Sequence, residues 1–332
     1  MKALVYTNTN EVTYRDEPDP VRGDGEVVLD IDAVGICGSD MHAYHGRDPR
    51  RSPPLILGHE VSGTIVEGNG AGTRVTVNPL ITCGRCHYCR TGRDNLCSNR
   101  TMIGMTRPGG FAERMSIPAA NLIAIPQDMT PRQAALTEPA ATALHAIDRA
   151  TRALARPLPE ARTLVIGGGA VGLLAALLLK SYGCRDLCLA ETNPLRRDSA
   201  GRAAGCETYD PHEGNGRGVA DNSADLVLDA VGGKSTRNAA FQAVRPGGII
   251  VHVGLMDWAS EIDMRKLTLA EITLIGTYTY STADLDATVA ALYRGAFGDL
   301  HWVEERSLAD GATAFADLDK GRTAAAKILL RP

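Results

Sequence analysis

Thr163-Leu164-Val165-Ile166-Gly167-Gly168-Gly169-Ala170-Val171-Gly172 sets a short apolar strand against a G-x-G-x-x-G turn, and an almost wholly apolar helix follows, ending near Gly183. In that setting Gly167 permits a tight turn, Gly169 lets a pyrophosphate approach the backbone, and Gly172 lets helix and strand pack closely. The amides that open the helix, around Ala170 and Val171, then meet the phosphates, whose charge the helix dipole favours. A dinucleotide site is the expectation.

The next strand, Leu187-Cys188-Leu189-Ala190, ends on Glu191. An acid there accepts hydrogen bonds from both adenosine ribose hydroxyls and repels a 2′-phosphate, so NAD is expected rather than NADP. Arg196 and Arg197 pull the other way, since a nearby arginine can receive that phosphate. Beyond them the pattern predicts helix 194–204, strand 207–209, strand 225–231, helix 235–244 and strand 249–253. Such alternation predicts an α/β unit with a parallel sheet covered on both faces. Cys184, Cys188, Cys206 and His252 fall in or beside these elements and read as packing residues. His145 and His301 read as core or surface groups. A helix over 283–293 and a strand over 327–330 follow.

Upstream, the chain is predominantly β. Residues 26–34, 60–67 and 73–77 read as strands. Just past the first of them lies Cys37-Gly38-Ser39-Asp40-Met41-His42, and after a loop rich in Arg and Pro comes Leu57-Gly58-His59-Glu60. A catalytic zinc needs about three protein ligands and one open position, and Cys37, His59 and Glu60 offer a thiolate, an imidazole and a carboxylate. Alone, Cys37 would read as a small buried hydrophobe.

Cys83-Gly84-Arg85-Cys86-His87-Tyr88-Cys89, with Cys97 beyond, has the ligand types and spacing of a closed tetrahedral zinc site. Arg85, Arg90, Arg93 and Arg100 flank it and raise the alternative of a zinc-lobe nucleic-acid binder. The spacing differs from a paired-CxxC ribbon, and the net charge of -4 gives no general attraction to phosphate backbones or acidic membranes. The arginines read as solvation of a protruding loop.

A chain of 332 residues exceeds the usual single core, so two domains are expected. With no export signal at Met1-Lys2-Ala3-Leu4-Val5-Tyr6, the clustered cysteines favour metal over disulfides, and a cytoplasmic enzyme is the default. The longest apolar run, 170–179, is too short to span a bilayer. Thr130 and Pro131 begin a helix. Within it Pro139 should break or restart the helix and leave Glu138 at a junction, where alone it reads as a surface acid.

Cys37-Gly-Ser-Asp-x-His42, Gly58-His59-Glu60, the four-cysteine lobe, Glu138-Pro139 and the 167–172 fingerprint follow the order seen in zinc-dependent medium-chain dehydrogenases/reductases of the alcohol dehydrogenase superfamily. The chain most resembles their sorbitol (polyol) dehydrogenase branch. The resemblance implies a GroES-like β-rich catalytic domain over 1–140 and 278–332, carrying a zinc lobe at 83–97, and a Rossmann NAD-binding domain over 141–277. It implies a catalytic zinc on Cys37, His59 and Glu60, with Glu138 as a further ligand or holding the zinc-bound water, and a structural zinc on Cys83, Cys86, Cys89 and Cys97. Ser39 would pass the substrate proton on, His42 would deliver it towards solvent, and Asp40 would orient His59. Gly167, Gly169, Ala170, Val171, Gly172, Glu191 and Arg196 would contact NAD. The implied activity is hydride transfer between a secondary alcohol, a polyol or sugar alcohol, and NAD. L-Threonine or a simple secondary alcohol is the alternative in the same family, and a zinc-lobe nucleic-acid binder or a non-catalytic relative is the alternative of a different class. A cytoplasmic homodimer or homotetramer is expected, acting on a small molecule, with no nucleic acid or membrane partner.

Overall fold

The computed structural model describes residues 1–213 and 218–332. Six parallel strands form one sheet in the order Glu207–Tyr209, Leu187–Ala190, Thr163–Ile166, Ala224–Asp229, Val244–His252, Thr273–Gly276. Thr163–Ile166 comes first in sequence, and its two sides carry the later strands in opposite directions. The crevice beyond its carboxyl end is therefore a topological switch point, and the glycine turn starts there. Every residue of Thr163–Ile166, Leu187–Ala190 and Ala224–Asp229 is buried, as a sheet covered on both faces requires.

The second sheet has seven strands. Its order is Leu122–Ala124, Arg74–Val77, Glu60–Glu67, Glu26–Gly35, Lys327–Arg331, Val303–Ser307, with Arg114–Pro118 also paired to Glu26–Gly35. One edge of that long strand is shared. Glu26 to Asp30 pair with Pro118 to Arg114, whereas Val34 and Gly35 pair with Leu330 and Leu329. The β-rich unit is thus finished by residues from the far end of the sequence. Smaller sheets join Lys2–Asn8 to its neighbours and Leu80–Ile81 to Thr101–Met102.

One apolar core runs through Met129, Leu136, Ala140, Ile147, Leu173, Leu228, Val251, Leu292 and Leu329, so it draws on both sheets and the helices between them. Among the described residues no helix is long and apolar enough to cross a membrane.

The helix break expected at Pro139 falls earlier. Helix Pro131–Ala135 begins with a Thr130 and Gln133 capping box, Leu136 intervenes, and Thr137–Thr151 starts a new helix. Pro139 occupies its first turn, where the missing N–H has no intrahelical role and the ring is tolerated. This geometry turns Glu138 inward. At 6% exposure it is buried, so the surface-acid reading is corrected.

The elements that went unread in the sequence include helix Met264–Leu269, strand Thr273–Gly276, strand Val303–Ser307 and helix Gly311–Asp319. Val303-Glu-Glu-Arg-Ser307 lacks apolar alternation, and tertiary ion pairs support it instead. Glu305 accepts from Arg132 at 2.7 Å and from Arg331 at 3.2 Å.

Candidate active site and metal centres

Two adjacent strands build the first cluster. Gly35, at the end of its strand, pairs with Glu60 at the start of the next, which sets Cys37 opposite His59 and Glu60. A Cβ on Gly35 would meet Glu60 Oε2 at 1.9 Å, so only glycine leaves room for the carboxylate. Cys37 caps helix Gly38–Tyr44, and Asp40 in the first turn accepts from the Cys37 amide at 3.0 Å. Ligand atoms of Cys37, His59 and Glu60 lie within 4.8 Å of one another. His59 and Glu60 are buried and Cys37 is half-buried.

Glu60 Oε2 is buried and has no hydrogen-bond partner among the described residues, while Oε1 accepts from Lys327 Nζ at 2.6 Å. A buried polar atom without a partner calls for a ligand or an ion. A sulfur, a nitrogen and that oxygen suit zinc with one position left open. Glu138, on the Thr137–Thr151 helix, stands outside this three-residue group but close enough to feel the charges of His59 and Glu60. Its Oε1 accepts from the buried Tyr280 hydroxyl at 2.6 Å.

Burial pushes the Glu138 carboxyl up, and Glu60 adds to this against the opposing pull of His59 and the Tyr280 hydroxyl. Burial disfavours charge on His59 as well, yet Asp40 and Cys37 outweigh it and raise the imidazole well above its ordinary value. His59 Nδ1 and Asp40 Oδ1 face each other at 3.5 Å, an ion-pair distance beyond normal hydrogen-bond reach. His42, half-buried, is lowered first by burial and then by Arg47, which favours a neutral, proton-accepting ring. Ser39 accepts at Oγ from Arg51 Nη2 at 3.3 Å.

The lobe brings its four thiols together. Cys86 and Cys89 sulfurs are 3.5 Å apart, Cys83 and Cys97 are 3.5 Å apart, and Cys83 and Cys89 are 3.9 Å apart. A tetrahedron with Zn–S near 2.3 Å has edges of about 3.8 Å, so this donor set fits a closed zinc site. Backbone N–H groups of Arg85 and Cys86 lower the Cys83 thiol to about 6.

At the glycine turn, Gly167 takes φ +99°, and a Cβ on Gly172 would meet Gly167 O at 1.9 Å. Open space lies where a Gly169 Cβ would stand. Gly169 is the N-cap of helix Ala170–Ser181 and supplies no side-chain cap, so the amides of the first turn, Ala170 and Val171 included, have no competing partner there. Glu191 closes the cradle: Oε2 accepts from the Gly168 amide at 2.8 Å, and Oε1 accepts from the Asn193 amide at 2.7 Å and Arg196 Nη2 at 3.4 Å. Arg197 is tied to Glu191 O and to Asp210, away from that carboxylate.

Sequence reading missed Lys327, Tyr280 and Arg51. Only Arg51 left a local trace, in the basic loop between the two halves of the cluster. Lys327 opens an apolar strand and Tyr280 precedes a helix, and neither position has a distinguishing pattern.

Residues 23–127 match the alcohol dehydrogenase GroES-like domain, and residues 170–294 match the zinc-binding dehydrogenase family. The chain is 34% identical over 297 residues to L-galactonate-5-dehydrogenase of Escherichia coli K12, covering 86% of this chain and 85% of that protein. It is 32% identical over 281 residues to L-threonine 3-dehydrogenase of Pyrococcus horikoshii, covering 80% and 78%. Among solved structures, acetophenone reductase from Geotrichum candidum in complex with NAD superposes with a TM-score of 0.88 at 28% identity, covering 100% and 97%. A zinc-binding dehydrogenase of Sinorhizobium meliloti 1021 bound to NADP gives a TM-score of 0.88 at 28% identity, covering 100% and 99%.

Proposed function

The chain belongs to the zinc-binding dehydrogenases with an alcohol dehydrogenase GroES-like domain, and from that membership we propose which residues carry its NAD-dependent chemistry and which alcohols it takes. Cys37, His59 and Glu60 hold the catalytic zinc, and Glu138 is a further ligand or holds water at the open position. Cys83, Cys86, Cys89 and Cys97 hold the structural zinc. When bound, the zinc would supply a Lewis acid for the substrate hydroxyl and NAD would supply the hydride acceptor for the carbinol carbon. The glycine turn and helix amides bind the pyrophosphate, and Glu191, steadied by Arg196, binds the ribose. Ser39 accepts the hydroxyl proton and passes its own to His42. Asp40 orients His59.

The observation that carries this reading is the Cys37, His59 and Glu60 cluster, with a buried carboxylate oxygen that no group among the described residues satisfies. The substrate we favour is a secondary alcohol within a polyol or sugar acid, in keeping with the named activity of the Escherichia coli relative. L-Threonine is the second reading, favoured by the Pyrococcus horikoshii relative. The proposed homo-oligomer is supported by the outer strand Thr273–Gly276, in which Leu274 is exposed, as are Leu255, Met256, Trp258 and Leu269 in the segment preceding it.

NAD reduction across sugar alcohols, sugar acids, L-threonine and simple secondary alcohols, before and after chelation, tests the function. Chelator-sensitive NADH formation on a vicinal diol is the expected result. No turnover on any alcohol by protein with full zinc and bound NAD overturns the reading.

A further inference from the structure

Arg51 grips Ser39 from behind. Its side chain is 1% exposed, and its N–H groups reach four acceptors: Gly104 O at 2.8 Å, Asp48 Oδ2 at 2.7 Å, Ser39 O at 3.2 Å and Ser39 Oγ at 3.3 Å. Asp48, itself buried, balances the cation and is held in turn by Arg50 at 2.8 Å and 3.0 Å. A buried guanidinium has therefore been brought to a single hydroxyl at the start of helix Gly38–Tyr44.

We propose that Arg51 is a positioning residue that sets the direction of proton transfer through Ser39, an inference that rests on the relay proposed above. A serine oxygen has two lone pairs and one hydrogen. Arg51 Nη2–H occupies one lone pair and, being permanently protonated, never accepts. The other lone pair is left to take the substrate's hydroxyl proton. Ser39's own hydrogen then leaves towards His42, which is three residues on and shares that helix face. One O–H bond breaks on the substrate and one forms on Ser39, while the original Ser39 O–H breaks and its proton goes to the His42 ring. Ser39 ends as it began, and the guanidinium keeps all its protons. Without Arg51 the hydroxyl can rotate into orientations that do not conduct.

The test compares zinc-loaded Ser39→Ala, Arg51→Met, Arg51→Ala and the double variants on the alcohol found active in the panel, with kcat and the KM for NAD measured separately. Arg51→Met is expected to lower kcat about 10- to 100-fold with the KM for NAD unchanged. Adding Arg51→Met to Ser39→Ala should cost nothing further, because the arginine acts through that hydroxyl. Added guanidinium ion should restore turnover to Arg51→Ala and none to Ser39→Ala/Arg51→Ala. Losses that multiply in the double variant, or an Arg51→Met enzyme with full kcat, overturn the role of Arg51. Ser39→Ala with full turnover instead removes the relay itself, so the two failures are distinct. Where Arg51→Met does not fold, Arg51→Lys keeps the cation; it is expected to stay slow, since an ammonium lacks the planar fork that spans Gly104 O and Ser39 Oγ. Full activity in Arg51→Lys also overturns the proposal.

Discussion

Lys327 and Glu60 form an ion pair at 2.6 Å between side chains that are 1% and 0% exposed, and Lys327 also donates to Ile36 O at 2.7 Å. Burial lowers the lysine, but Glu60 and Cys37 outweigh it and keep the ammonium charged. Breaking a buried pair from one side leaves the other charge uncompensated, at a cost of about 3–5 kcal/mol. In zinc-free protein, where no metal ion offsets the Glu60 charge, Lys327→Met is therefore expected to lower Tm sharply. Lys327→Met/Glu60→Gln should recover part of the loss, and a single variant as stable as the parent would contradict the pairing.

Cys37→Ser and His59→Ala are expected to abolish turnover while NAD binding stays within a few-fold of the parent, because the glycine turn lies on the other sheet. Elemental analysis should find two zinc ions per chain in the parent and one in either variant. Turnover retained in either variant would count against this metal centre.

Glu191→Ala is expected to weaken NAD more than NADP, since it removes the ribose acceptor and the repulsion of a 2′-phosphate together. Fluorescence titration with both reduced cofactors measures this. Equal weakening would mean that the carboxylate only braces the Gly168 and Asn193 amides it already meets.

His145 Nδ1 lies 2.9 Å from Asp284 Oδ2, and this contact ties helix Thr137–Thr151 to the start of helix Thr282–Tyr293. Burial raises the Asp284 carboxyl, but His145 and the Ser281 amide and hydroxyl outweigh it and hold it below the ordinary 3.8. A carboxylate depressed in the folded state adds stability above its unfolded pKa and loses it as pH falls through the lower folded value. Asp284→Asn should thus have a lower Tm than the parent at pH 7, with the gap closing towards pH 3. A gap that stays constant with pH would show that the carboxylate charge contributes nothing.

The glycine turn and the four-cysteine lobe were legible because each is a local pattern with a local cause. Gly172 must be glycine for the backbone of Gly167 to pass, and four thiols spaced over one short loop converge without help from elsewhere. Cys37, His59 and Glu60 were legible as ligand types, and pairing of neighbouring strands brings them together. The partners of that cluster were not. Tyr280 meets Glu138 across 142 residues of sequence, and no periodicity in either segment marks the other. The inward turn of Glu138 was hidden too, because it depends on a break at Leu136 that tertiary packing decides.

The shared edge of strand Glu26–Gly35 bears on biosynthesis. Glu60 waits for a cation 267 residues later in translation, and the strand that brings it, Lys327–Arg331, also fills the vacant part of that edge. Chains grow from the amino end and domains generally fold as units, so the parallel sheet is wholly synthesised before the β-rich unit can close. A nascent chain stopped short of Lys327 should bind NAD yet expose an open strand edge and an unpaired acid, and limited proteolysis of such chains would find the cuts in the seven-stranded sheet.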